Sequence, residues 1–335
     1  DFHGVAPFEI ETGEVKVSNG ASYSSVFGKK MIEMADRQPK LAAITAAMTS
    51  GTGLDEFSKL YPERFFDVGI AEQHAVTFAA GLAKAGIKPV VAIYSTFLQR
   101  SYDQILHDVA LQNLHVVFAI DRAGLVGEDG ETHQGIYDLS YLGSIPNMTI
   151  AVPCDYDEFE QMLDFAVFKH EGPIAVRYPR GSGKRQLARS DQIHYGTGVK
   201  LLTGDDVTIV AVGNMVETAL KVADLLSKKG IHAEVINGRF VKPLDARMIL
   251  ESVVKTKALA TIEDNCIKGG FGSSINEYAV IRNIGIRIKN IGVPNIFVEH
   301  GTIKELKESL HLNADSIAMQ IIYETIGKET CFAEF

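Results

Sequence analysis

The feature that most constrains this chain is a repeated alternation of short apolar runs with stretches of helical periodicity. Apolar runs occupy residues 41–45, 89–94, 115–120, 148–152 and 174–177. Helical spacing occupies residues 24–37, 71–84, 98–112 and 156–169 between them. Strands that are apolar on both faces and joined through helices must be covered on both sides, which predicts a mostly parallel sheet between helical layers. The period fails over residues 178–204, rich in Gly, Ser and charge, and this stretch reads as a surface linker. A second unit then alternates strands at 207–212, 232–236, 258–262 and 286–291 with helices at 216–229, 246–255, 272–282 and 315–326. The predicted fold class is α/β: two three-layer domains, residues 1–190 and 191–335, the first with a mostly parallel sheet.

Composition narrows the partners. The chain has 335 residues, 46% hydrophobic and 22% charged, ordinary values for a globular protein with two cores. No apolar run approaches the ~20 residues needed to span a bilayer. A net charge of -9 argues against nucleic acid or a membrane surface as partner. Cys154, Cys266 and Cys331 are far apart and show no metal-ligand spacing, which predicts reduced thiols, a cytoplasmic setting and no metal site in this chain. The opening Asp1-Phe-His-Gly has neither an initiator Met nor a basic-then-apolar leader, and it starts within a motif.

Three segments at strand-to-helix junctions concentrate the polar chemistry. Phe65-Phe-Asp-Val-Gly-Ile-Ala-Glu-Gln-His74 puts Glu72 in the first turn of a helix rich in Ala and Gly, where the helix dipole favours a carboxylate. A helix-start Glu can equally do no more than cap free amides. Tyr94-Ser-Thr-Phe-Leu-Gln-Arg100 follows a strand, at the carboxyl end where parallel sheets bind ligands. There Phe97 either offers its face to a flat ring or packs between helix and sheet, and Arg100 reaches an anion, Asp103 or solvent. Gly127-Glu-Asp-Gly-Glu-Thr-His-Gln-Gly135 lies in a long polar loop, and such loops are usually functional. His133 suits proton transfer near neutrality, although an ordinary surface loop would look the same. His107 and His115 read as packing or surface residues, and His74, beside Glu72 near the helix start, reads as lining the site without acting on a substrate. Asp264, Asn265 and Gly269 to Gly272 suggest a loop and helix start able to hold an anion, or a closely packed helix.

These segments, in this order and followed by Val176-Arg-Tyr-Pro-Arg-Gly181, closely resemble the 1-deoxy-D-xylulose-5-phosphate synthases. Phe2-His-Gly4, Ala110-Leu-Gln-Asn-Leu114, Tyr137-Asp-Leu-Ser-Tyr-Leu142, Phe240-Val-Lys-Pro-Leu-Asp245 and Gly292-Val-Pro-Asn-Ile-Phe297 extend the likeness over the chain. It implies a transketolase-type pyrimidine-binding domain followed by a transketolase C-terminal domain. It also implies thiamine diphosphate with Mg2+ as cofactors, pyruvate and glyceraldehyde 3-phosphate as substrates, and a homodimer. By the same resemblance Glu72 hydrogen-bonds a ring nitrogen of the aminopyrimidine and Phe97 stacks on it. Tyr94, Arg100, Arg122, Asp129 and Arg180 surround the substrates, with Arg100 and Arg180 assigned to the phosphate end, and His133 and His3 handle protons. The family's diphosphate- and magnesium-binding domain, marked by Gly-Asp-Gly and a later Asn, has no counterpart in this sequence. That domain is therefore expected in cis or in trans, and the chain by itself is expected to be inactive.

Two other readings compete. The beta subunit of a 2-oxoacid dehydrogenase decarboxylase has the same two-domain order, but the Asp129 to His133 and Arg177 to Arg180 motifs favour the synthase. A noncatalytic dimerisation or regulatory module would have little use for Glu72, Phe97 and His133 together.

Overall fold

The computed structural model describes residues 8–14, 20–187 and 192–326. Twelve strands are labelled in chain order: β1 Leu41–Thr45, β2 Phe65–Asp67, β3 Lys88–Tyr94, β4 Val117–Asp121, β5 Thr149–Ala151, β6 Ile174–Arg177, β7 Val199–Leu202, β8 Val207–Ala211, β9 Ala233–Asn237, β10 Phe240–Lys242, β11 Ala258–Cys266 and β12 Arg287–Val293. They form two sheets, a seven-stranded one in the order β10-β5-β6-β4-β3-β1-β2 and a five-stranded one in the order β12-β11-β8-β9-β7. All pairings are parallel except the edge strands β10 on β5 and β7 on β9. The fold class read from the sequence, two α/β domains with mostly parallel sheets, is borne out.

Burial on both faces explains the apolar runs. Every residue of β1, β4 and β6 is buried. Because side chains alternate across a strand, Leu41 and Ala43 of β1 meet one core while Ile44 meets another. The first core is covered by helices Tyr23–Arg37 and Tyr156–Phe168. The second is covered by helix Glu72–Lys84 and also takes in Val210, Val212, Ile236 and Phe271 of the other unit. One apolar core thus runs through both sheets' surroundings, and the units are packed together rather than strung on a linker.

Two strands depart from the sequence expectation. Residues 199–202, placed in the surface linker, form β7, an edge strand whose Lys200 pairs with Glu234 at 3.1 Å. Four residues with only Val199 fully buried leave too short an alternation to register as a strand. The β10 strand leaves the second unit through Arg239, in the left-handed region at φ 51°, and closes the edge of the first sheet. Its Lys242 donates to the carbonyl oxygens of Gly143 and Ile145 at 3.0 and 2.6 Å. The helix expected over 98–112 is also not uniform. It winds as a 3-10 turn over Gln99–Ser101 and as a π-helix over Ile105–Ala110.

Candidate active site

The carboxyl ends of β1, β3, β4 and β6 open on one edge of the first sheet, and the singled-out side chains gather there. Glu72 begins helix Glu72–Lys84, whose cap residue Ala71 has no side chain able to bond the first amides. Ala75, Val76, Ala79 and Ala80 bury the helix against its neighbours, which draws Glu72 under the surface at 3% exposure. Its carboxylate does not serve as a cap. Glu72 Oε1 accepts a hydrogen bond from Arg100 Nη1 at 3.2 Å, and Oε2 has no donor among the described residues. Arg100 therefore turns to Glu72 and not to Asp103, which pairs with His107 at 2.7 Å. A buried carboxylate with one partner and an unused oxygen is poised to meet a further donor.

Beside it lies an aromatic group. The rings of Tyr94 and Phe97 stack at 5.5 Å with an interplanar angle of 13°. Phe97 meets His133 edge-on at 5.4 Å, and the Arg100 guanidinium carbon is 5.4 Å from the Phe97 centroid. Phe97 is only half-buried and forms a wall of a cavity of about 590 Å³ with Thr96, Arg100, Thr132 and Phe297. Arg122 sits over the other aromatic, 3.9 Å from the Tyr94 centroid. Burial pushes the Tyr94 phenol up to about 12 against the opposing charge of Arg122, so Tyr94 stays a neutral donor near neutral pH. Its hydroxyl fits against a glycine: a Cβ on Gly51 would lie 2.0 Å from Tyr94 Oη.

Arg122 adopts a left-handed backbone at φ 55°. Its Nη1 donates to Gly51 O at 2.9 Å and to Asp121 Oδ1 at 2.9 Å. Burial raises the Asp121 carboxyl above its ordinary value, opposed by Arg122 and by the Ser24 hydroxyl at 2.8 Å. Arg180 Nη1 donates to Asp129 Oδ2 at 2.8 Å and to Val126 O at 3.0 Å. His133 Nδ1 is 2.9 Å from Thr132 Oγ1, and Thr96 Oγ1 donates to Thr132 O at 2.9 Å. The structure therefore brings Glu72, Tyr94, Phe97, Arg100 and His133 into one contact chain, with the Arg122 and Arg180–Asp129 groups around it. His3 lies outside the described residues. Among the described residues no cluster of His, Cys, Asp and Glu could hold a metal.

Two models of protein families match the chain: transketolase, pyrimidine binding domain over residues 19–185, and transketolase, C-terminal domain over residues 196–317. A split gene transketolase chain, solved as an inactive beta4 tetramer, superposes with a TM-score of 0.83 at 31% identity, covering 91% of this chain and 98% of that one. The chain belongs to the transketolase family. The 1-deoxy-D-xylulose-5-phosphate synthase of Desulforudis audaxviator is 52% identical over 319 residues, 94% of this chain and 50% of the relative. That of Syntrophomonas wolfei is 53% identical over 322 residues, 96% of this chain and 50% of the relative. The chain spans about half the length of these curated relatives. The resemblance read from the motifs is borne out.

In this transketolase-family chain the second domain holds the loop that carries His133, which sequence reasoning missed. Gly124 and Gly135 exchange two backbone hydrogen bonds of 2.7 and 2.8 Å and close the loop at its neck. Behind the neck, buried Arg177 donates from Nε to Asp138 at 2.8 Å, from Nη1 to Asp264 at 2.6 Å and from Nη2 to Gly135 O at 3.3 Å. Gly124 faces Asp264 so closely that a Cβ would lie 1.9 Å from Oδ2. Just beyond the neck, buried Gln134 accepts from Val126 N at 2.9 Å and donates to Glu299 O at 3.1 Å. The only signal in the sequence was an arginine ending an apolar strand. Its partners lie 39 and 87 residues away and could not be paired from spacing.

Of the two readings of the Asp264 region, an anion-holding loop and helix start or a closely packed helix with glycine contacts, the structure shows the packed helix. Asp264 and Asn265 belong to β11, not to a loop, and both are buried. The start of helix Phe271–Ile281 is occupied by the chain's own Glu263 carboxyl, which accepts from Phe271 N at 2.8 Å and Gly272 N at 2.9 Å. Gly270 permits this approach, since a Cβ there would lie 2.3 Å from Glu263 Oε2. Burial pushes the Glu263 carboxyl up to about 8, with the two amides pulling it down.

Proposed function

We propose that this chain is the pyrimidine-binding and C-terminal portion of a 1-deoxy-D-xylulose-5-phosphate synthase, which joins pyruvate to glyceraldehyde 3-phosphate with loss of carbon dioxide. The observation that supports it most is the buried Glu72 carboxylate, whose Oε2 meets no donor among the described residues, near the half-exposed face of Phe97. An aminopyrimidine fits that pair: a ring nitrogen against the carboxylate and a flat face against the aromatic. Thiamine diphosphate, when bound, supplies the electron sink for carbon-carbon bond cleavage and formation.

The chain's own groups then divide the work. Glu72 holds or exchanges a proton at the pyrimidine nitrogen, which an amide cannot do. Arg100, next to Glu72, holds that carboxylate in place through the hydrogen bond from its Nη1. Arg180 and Arg122 bring planar paired donors toward carboxylate or phosphate oxygens. Tyr94 donates a hydrogen bond as a neutral phenol, and His133 moves protons at the substrate. Asp129 orients Arg180. Mg2+ and the diphosphate are held by a domain supplied in cis or in trans. A homodimer is the assembly we propose, with exposed Ile70 and Leu111 beside helix Glu72–Lys84 as apolar surface for it to cover.

The test is product identity. The chain assembled with its diphosphate-binding domain should convert pyruvate and glyceraldehyde 3-phosphate to 1-deoxyxylulose 5-phosphate, identified by mass spectrometry. Acylation of a lipoyl domain without that sugar phosphate would instead establish the 2-oxoacid dehydrogenase reading.

A further inference from the structure

Between the two domains, away from the Phe97 cavity and sharing no lining residue with it, lies a second cavity of about 230 Å³. Its walls come from residues 179–187 of the first domain, from the start of helix Met215–Ser227 and from helix Ile303–Ser309. Four cationic side chains, Arg180, Lys184, Lys221 and Lys307, line it against one carboxylate, Glu217. In a chain of net charge -9 such a local excess runs against the overall balance.

The existing pairs do not neutralise the cavity. Glu217 Oε1 is already shared between Lys184 at 2.9 Å and Lys221 at 2.8 Å. Arg180 spends Nη1 on Asp129 and Val126. Lys307 is half-buried and its ammonium has no hydrogen bond or ion pair among the described residues, and desolvation lowers its ammonium pKa despite the distant pull of Asp264 and Glu217. An ammonium removed from water without a partner is costly. The Asn214 side chain adds a second unmet group: its Oδ1 is buried with no partner, and it caps no amide of the helix it precedes. Turning that amide presents an N–H2 donor instead, since the two ends of an Asn side chain are assigned from their partners.

We infer that this interdomain cavity binds a small phosphate-bearing anion, either inorganic phosphate or a short phosphate ester, with Lys307 as its main contact and Asn214 and Lys221 beside it. The volume lies below the usual range of about 300–1,000 Å³ for drug-sized ligands, so a nucleotide does not fit. A dianion with several acceptor oxygens meets the surplus of donors better than a monocarboxylate. Arg180, placed above among the substrate-binding residues, also lines this cavity, whereas Lys307, Lys221 and Asn214 line it without lining the Phe97 cavity.

Titration calorimetry of the 335-residue chain with inorganic phosphate, glycerol 3-phosphate and acetate tests this directly. Saturable phosphate binding is expected, weakened about tenfold or more in Lys307→Met and changed less than about twofold in Arg100→Gln. Tighter binding of glycerol 3-phosphate than of phosphate would identify an ester as the ligand, and the reverse would identify the free ion. Thermal melts guard against misfolding: in phosphate-free buffer Lys307→Met should melt at or above the parent, because an unpaired, half-buried charge is removed. It should also lose the parent's stabilisation by phosphate. Absence of saturable binding, equal affinity for acetate, binding abolished by Arg100→Gln and untouched by Lys307→Met, or a lowered melting point for Lys307→Met would each overturn the inference.

Discussion

Removing Arg177 should loosen the second domain's grip on the His133 loop, and the structure sets the scale. Arg177→Met keeps the length and apolar stem of the side chain but leaves Asp138 and Asp264, both buried, facing each other without the cation between them. Breaking a buried ion pair by deleting one partner costs about 3–5 kcal/mol, a large share of the 5–15 kcal/mol that stabilises a typical domain. Burial already raises the Asp138 carboxyl, and losing Arg177 removes the strongest opposing influence. A carboxyl raised in the folded state contributes stability at low pH that is lost as pH rises through its folded value. The deficit of Arg177→Met should therefore be largest above neutrality and shrink toward about pH 5, as the orphaned Asp138 carboxyl protonates. Urea unfolding followed by far-UV circular dichroism at two pH values measures this, since the chain has no Trp to report by fluorescence. Adding Asp138→Asn and Asp264→Asn to Arg177→Met should recover most of the loss by removing the unpaired charges. A deficit below about 1 kcal/mol, or a triple variant no more stable than the single one, would refute the reasoning.

Three further outcomes are expected. Glu263→Gln should flatten the fall in stability between about pH 5 and pH 8, because the raised Glu263 carboxyl favours folding below its ordinary value and loses that advantage as pH climbs to about 8. Stability-versus-pH curves of the parent and variant should differ in slope across that window. Arg180→Lys in the complete enzyme should raise the Michaelis constant for glyceraldehyde 3-phosphate well above any change for pyruvate, since an ammonium cannot offer paired donors while bonded to Asp129; steady-state kinetics with each substrate varied will show it. Gly124→Ala should destabilise the loop neck, because φ is +80° there and the new Cβ would strike Asp264. Hydrogen exchange over residues 122–137 should accelerate in that variant.

Much of this molecule was legible in the sequence because burial on both faces writes itself as uninterrupted apolar runs. The β1 and β6 strands were read to the residue on that ground. Three-residue strands such as β10 have no such signature; Phe240 is buried by what the rest of the chain brings to it. At the site, the local motifs that carry Glu72, Phe97 and His133 were visible because each sits within a few residues of a strand end. The pairing of Arg100 with Glu72 was not, since they are 28 positions apart and a 3-10 turn sets the direction of Arg100. The same holds for Arg177, Asp138 and Asp264: opposite charges buried together leave no periodic trace. Glycines were legible as breaks in pattern, but not that Gly270 admits Glu263 or that Gly51 admits the Tyr94 hydroxyl.

The central claim is that the Glu72 carboxylate exchanges a proton with the pyrimidine of bound thiamine diphosphate. The most direct measurement is the turnover number of Glu72→Gln in the chain assembled with its diphosphate-binding domain, beside its melting temperature. A shape-preserving amide should leave the melting temperature within a few degrees of the parent while turnover falls about a hundredfold or more, the scale of a lost acid-base group. Turnover close to the parent's, with the protein equally folded, would contradict it.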